Sequence, residues 1–191
     1  MGEKVDRYKH EKENIIIEVG VKNSRQLFNE RDPAPFRERD LDPKFVIYLV
    51  SAVEEFSLRT PIVLRILTSD NDDLKTESQL AIKESIGTYF LYESTLAKAK
   101  LQKRRRTARY FFLIGIVTLI ICLSLAQFLD SIGNFPHVTN VLSVSFVIIG
   151  WVAMWHPIEA LLYDWWPIFE QRQYFDKIAK LDVEIVGIEN I

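Results

Sequence analysis

The sequence has a single cysteine, Cys122, so no disulfide can close within the chain and no thiolate metal cluster can be assembled. Because Cys122 sits inside an apolar stretch, it says nothing about redox compartment. A basic surplus is lacking too. The net charge is -2 at pH 7 and the pI about 6.0, whereas binding driven by phosphate neutralisation needs a basic face. A general nucleic-acid binder is not expected. The first ten residues are charged and contain no apolar run, so no cleavable secretory signal is expected there. Gly2 follows Met1, but Asp6 stands where a myristoylation signal needs serine or threonine. There is no Gly-rich phosphate loop, no HExxH pair and no Gly-x-Ser-x-Gly elbow. Hydrolase, kinase and dehydrogenase readings have no footing, and no cofactor or resident metal is called for.

The most informative absence is charge between Phe111 and Trp155, where Cys122, Asp130 and His137 are the only ionisable side chains. Mean hydropathy over the whole chain is near zero, and that average conceals two kinds of segment. From Phe111 to Leu129 runs FFLIGIVTLIICLSLAQFL, which as a helix rises roughly 28 Å, close to the ~30 Å hydrocarbon thickness of a bilayer. A second stretch, VTNVLSVSFVIIGWVAMW from Val138 to Trp155, has comparable reach. Two buried core helices are the soluble alternative, but two such charge-free runs are rare in a domain of this size. The pattern predicts a transmembrane hairpin.

Charge asymmetry predicts its orientation. AKAKLQKRRRTAR precedes the first run with seven basic residues and no acidic one, while the connector DSIGNFPH offers only Asp130 and His137. Positive residues stay inside, so both chain ends are expected in the cytoplasm, at the inner or plasma membrane. Within this cluster Lys103, Arg104, Arg105, Arg106 and Arg109 are candidate contacts for anionic lipid headgroups. Tyr110, Phe111 and Phe112 open the first run, and Trp151, Trp155, Tyr163, Trp165 and Trp166 cluster toward the end of the second, as aromatic belts do. Ser143, Gly150 and Ala153 are small enough for close helix approach, within the hairpin or between chains.

The polar remainder reads as a small α+β domain. Ile15 to Val19, Pro61 to Thr68 and Val183 to Ile188 have the length and β-branched composition of strands. Asp42 followed by Pro43 is a helix start, with Phe45, Leu49, Val53 and Phe56 recurring at helical spacing behind it. Ile82, Ile86, Tyr89, Phe90 and Ala97 form another apolar stripe, and no proline interrupts Leu74 to Leu129. One helix is therefore expected to run straight into the first span, about 80 Å long, with Gly87 a weak point. A helix over Ile168 to Lys180 should direct Phe169, Phe175 and Ile178 at that stripe, with Arg172 and Lys177 outward.

The fold class expected is thus α+β: a transmembrane helical hairpin with a small cytoplasmic three-stranded sheet-and-helix domain built from both chain ends. The expected organisation is a cytoplasmic domain with the long helix over 1–109, a span over 110–129, and an external loop over 130–137. A second span over 138–163 and a cytoplasmic helix and strand over 164–191 complete it.

Two polar clusters are candidate sites. In residues 23–43, Asp32, Arg37, Glu38, Arg39, Asp40 and Asp42 crowd together, and paired carboxylates can do acid-base work or bind a metal. The structural alternative is that Asn23 or Ser24 caps a short helix, Asp32-Pro33 and Pro35 shape a turn, and the charges pair locally. At the membrane interface, His156, Glu159 and Asp164 fall on neighbouring turns, a set that suits proton or cation handling or neutralisation of the facing arginines. No catalytic motif accompanies either.

The runs LFNERDPAPFRERDLD and GWVAMWHPIEALLYDWWP resemble uncharacterised two-pass membrane proteins of bacteria and archaea that share an LFxxxDPxPFxxRDLD segment. The resemblance implies a shared architecture and no assigned activity. The residues themselves point first to a membrane-anchored interaction or scaffold protein, expected to self-associate or to join another membrane protein in the lipid bilayer. A subunit of an oligomeric ion channel or small transporter is the alternative, and an enzyme with its polar site in residues 23–43 the third.

Overall fold

The computed structural model of the protein describes residues 8–11, 13–29, 31–34, 39–69, 75–132 and 136–188. It is a mixed α+β structure with a four-stranded sheet and two long apolar helices. In chain order the elements are β1 (Lys9–Glu11), β2 (Asn14–Val21), a 3-10 turn (Ser24–Leu27), α1 (Pro43–Glu54), β3 (Ile62–Thr68), α2 (Thr76–Ile132), α3 (Pro136–Leu162), α4 (Trp166–Ile178) and β4 (Asp182–Gly187). The chain divides into two units, one of Met1–Leu96 with Gln171–Ile191 and one of Ala97–Glu170.

The first unit holds the sheet, ordered β1-β2-β3-β4, with β1 antiparallel to β2 and the other pairs parallel. Parallel neighbours need a long crossover. Between β2 and β3 that crossover contains α1, and between β3 and β4 it contains α2, α3 and α4. The sheet is therefore completed by a strand from the far end of the chain. The three strands expected from β-branched composition form, and β1 is an addition to them. Its Lys-His-Glu sequence is exposed throughout and carries none of the composition by which strands are read.

Alternation across the sheet buries one face completely at Ile17, Leu64 and Ile66, while the other face has Glu18, Arg65 and Glu184 in one cross-strand row. Helix α1 starts as the local sequence dictates: Asp42 Oδ1 accepts hydrogen bonds from the amides of Lys44 and Phe45 (2.9 and 3.2 Å), and Pro43 occupies the first turn. Phe45, Leu49, Ala52 and Val53 are its buried face. From α2 the core takes Ile82, Ile86 and Phe90, and from α4 Phe175 and Ile178, with the rings of Phe90 and Phe175 6.0 Å apart.

Helix α2 continues through Gly87, whose position has a reason the sequence did not give. A Cβ there would stand 3.3 Å from the carbonyl oxygen of Ala179, so glycine lets the end of α4 approach closely. One expectation for α4 is corrected. Arg172 and Lys177 are not outward: Arg172 is half-buried with its Nε shielded from solvent, and half-buried Lys177 donates through Nζ to the Ser57 carbonyl (2.9 Å). Partial burial pushes the Lys177 ammonium below its ordinary range. Phe169 packs on Trp165 and Trp166.

In the second unit, α2 and α3 run antiparallel and in contact. Four contacts fix the register: Arg104 with Asp164, Gly115 with Met154 and Pro157, Leu119 and Cys122 with Gly150, and Asp130 with Ser143. Leu101, Ala108, Gly115 and Cys122 recur every seven residues on α2, and Ser143, Gly150 and Pro157 do so on α3, the repeat that keeps one seam facing a partner helix. Gly115 and Gly150 let the two helices approach closely along the seam. A Cβ on Gly115 would come within 2.9 Å of Met154 Sδ, and one on Gly150 within 2.9 Å of Leu119 Cδ1 and 3.2 Å of Cys122 Cβ.

Candidate functional site

The polar segment closes on itself. Phe28 bridges Leu41, the Asn29 amide donates to the Asp40 carbonyl (2.8 Å), and the Asp42 amide donates to the Leu27 carbonyl (2.8 Å). Phe28, Leu27 and Leu41 are buried beneath this neck. Asp32 uses both carboxylate oxygens on backbone: Oδ1 accepts from the Ala34 amide (2.9 Å) and Oδ2 from the Asp40 amide (2.7 Å). These two bonds, the Asp40 amide first, with a smaller contribution from the Arg39 charge, hold the Asp32 carboxyl below its ordinary range. Asp32 is thus an ionised brace across the loop. Asp40 is exposed and Arg39 half-buried; Arg37 and Glu38 lie outside the described residues. Asn23 stands at the start of the 3-10 turn, but its side chain makes no capping bond and Oδ1 is buried without a hydrogen-bond partner.

An open cleft of about 540 Å³ adjoins the neck, lined by Gln26, Phe28, Asn29, Arg31, Asp42, Pro43 and Lys44. Its nearest carboxylate, Asp42, is engaged in capping α1. Among the described residues no group of three or more histidine, cysteine, aspartate or glutamate side chains is placed to hold a metal ion.

The candidates of the second unit separate into two kinds. Asp164 pairs with Arg104 at 2.6 Å, while His156 and Glu159 are exposed on α3 with no polar partner among the described residues. By the register above, Glu159 is level with Phe111 and His156 with Ile114. Lys103, Arg105, Arg106 and Arg109 are all exposed, Arg105 with its guanidinium 4.6 Å from the centre of the Trp165 ring and Arg106 5.9 Å from that of Tyr110. Of the small residues, Ser143 and Gly150 are buried in the seam between α2 and α3, and Ala153 is half-buried.

Sequence reasoning missed one polar feature. Arg65 donates to both carboxylate oxygens of Glu11 (2.6 and 2.9 Å) and to Glu184 (2.9 Å), with Glu18 at 3.8 Å, so its guanidinium ties β1, β2 and β4 to β3. Glu11, then Glu184, raise the Arg65 pKa further above its already high ordinary value. The signal was a single charged residue in the middle of each apolar strand: Glu18, Arg65 and Glu184. The charged groups of this cluster are engaged with one another across the strands, and it reads as a sheet clamp.

The fold and these placements define a mixed α+β protein with two helices long and apolar enough to cross a membrane, with mean hydropathy 2.5 and 1.8 over their most apolar windows. No protein-family model, curated protein or solved structure matches the chain.

Proposed function

We propose that the chain is a two-pass membrane-anchored interaction or scaffold protein, with α2 and α3 as a transmembrane hairpin and both ends on the cytoplasmic side. The observation that carries the reading is burial: only 17% of the most apolar window of each helix is buried within the chain. Leu113, Ile114, Val117, Ile120 and Ile121 on α2, and Val141, Val144, Ile148, Ile149 and Val152 on α3, are instead exposed. A soluble core helix would bury such side chains, each worth about 1.5–3 kcal/mol on leaving water. A lipid surround removes that cost. The cationic run beside Tyr110 supports the inward orientation, and two helices joined by one seam leave wide outer faces for association with a second copy or another membrane protein.

Cysteine accessibility tests this. With Cys122→Ser as background, Ser131→Cys should react with a membrane-impermeant maleimide in intact cells, and Lys180→Cys only after lysis. Release of the chain from membranes by alkaline carbonate, or the opposite labelling pattern, overturns the reading.

The exposed His156 and Glu159 favour a second reading, a subunit of an oligomeric ion channel or small transporter, since intramembrane ionisable groups that face outward from one hairpin can line a path between several. Proton or cation flux in reconstituted vesicles, abolished by His156→Phe with Glu159→Gln, supports it. Absence of flux across any pH gradient removes it.

A further inference from the structure

We propose that the basic segment of α2 is a docking surface for the headgroups of anionic phospholipids, which rests on the membrane reading above. Seven cations lie between Lys98 and Arg109, all exposed, and among the described residues one of them, Arg104, has its charge met by a carboxylate, Asp164. Three carboxylates, Glu159, Asp164 and Glu170, belong to the same end of the second unit, so the end keeps a large positive excess while the whole chain is at -2.

Placement selects lipid over a soluble polyanion. By the register of the four contacts between α2 and α3, Lys103 to Arg109 lie about level with Leu161 to Pro167, so the cations share their height with Tyr163, Trp165 and Trp166. Tyr163 and Trp166 are exposed. Amphipathic rings beside cations at the end of an apolar helix pair match the headgroup layer, where ring faces meet acyl chains and guanidinium groups meet phosphates. Arg105 over the Trp165 ring shows the two chemistries combined in one contact. On α2, Lys103, Arg106 and Arg109 follow one another at three-residue steps, so successive turns present cations along one stripe. An oligonucleotide would meet the same charges, but only with the adjacent apolar rings left in water.

The full chain, reconstituted in bilayer discs of equal phosphatidylcholine and phosphatidylglycerol and then extracted in mild detergent, can be assayed by mass spectrometry for the lipid it retains. Phosphatidylglycerol should be enriched at least about tenfold, since each basic side chain held at an anionic surface is worth roughly a fivefold preference. The triple change Lys103→Gln, Arg106→Gln, Arg109→Gln should bring the ratio near unity, while Lys44→Gln with Lys180→Gln, in the first unit, leaves it unchanged. Equal retention of both lipids by the natural chain overturns the proposal, as does undiminished enrichment in the triple variant, or displacement of phosphatidylglycerol by a single-stranded oligonucleotide at equal charge. Release of the chain from the discs by alkaline carbonate overturns the membrane reading itself. A chain that stays embedded without lipid preference overturns only this one.

Discussion

Helix α2 is built in two opposite ways along its length. Before Leu96 it buries large side chains, Ile82, Ile86 and Phe90, and exposes Lys83, Glu84 and Thr88; beyond Ala97 it buries Ala108, Gly115, Cys122 and Ala126, and exposes Leu113, Ile114, Val117 and Ile120. The backbone is the same, so the difference lies in what surrounds it. Where water is outside, helix contact is driven by removing large apolar groups from it. On the proposed reading the outside of the second part is lipid, which is as apolar as leucine; contact is then driven by close approach, and small residues at the seam permit it. On that reading, inverted burial along one helix marks where its solvent changes.

The largest expected effect comes from testing that inversion with one substitution on each side. Phe90→Ala removes a fully buried ring in contact with Phe175 and should destabilise the first unit by about 3–5 kcal/mol. Ile121→Ala, at 53% exposure, should change stability by no more than about 0.5 kcal/mol. Thermal unfolding of the detergent-solubilised protein, followed by near-ultraviolet circular dichroism, measures both. Equal losses would break the comparison, because they would mean that protein covers the outer face at Ile121.

A smaller effect sharpens it at the seam. Leucine at Gly115 or Gly150 must displace Met154 and Pro157, or Leu119 and Cys122, and overpacking of this kind costs about 1–3 kcal/mol. Ile149→Leu, on the exposed side of α3, keeps volume and should be neutral. Cys122, buried in the natural chain, reports the opening: its reaction with a small maleimide in detergent should speed up in both glycine variants and stay slow in Ile149→Leu. Unchanged reactivity in all three would show that the seam does not hold the helices together.

What the sequence disclosed was what short-range chemistry determines. Asp42-Pro43 specified the start of α1 because the cap and its amide partners lie within three residues. The three longer strands were readable from β-branched runs. One bond of Asp32, to Ala34, is local and belonged to the expected turn; the other, to Asp40, crosses the loop and was not visible. Gly87 read as a flaw because the carbonyl it accommodates belongs to Ala179, on the other side of the second unit in chain order. Arg65 went unnoticed for the same reason, its partners Glu11 and Glu184 being 54 and 119 residues away. Apolar periodicity marked Phe175 and Ile178 as the buried residues of α4, but Arg172 and Lys177 were assigned outward, although a long side chain can bury its stem and deliver its head to a carbonyl.

The smallest expected effect concerns an ion pair at the edge of the sheet. Lys83 Nζ lies 2.6 Å from Asp182 Oδ1, and both side chains are largely exposed. This hydrogen bond, with the Lys83 charge behind it, holds the Asp182 carboxyl below its ordinary value of 3.8. A carboxylate depressed in the folded state binds protons more readily when unfolded, so its contribution is complete above that ordinary value and is lost as pH falls through the folded one. Solvent screening limits it to roughly a few tenths of a kcal/mol. Lys83→Met should therefore lower stability slightly at pH 7 and not at pH 2, so that the difference between the two proteins vanishes across the acid range, as measured by denaturant titration at a series of pH values. A difference that persists undiminished at pH 2 would mean that Lys83 acts through the packing of its stem beside Ile86 and Leu181. The pairing with Asp182 would then contribute nothing to the edge.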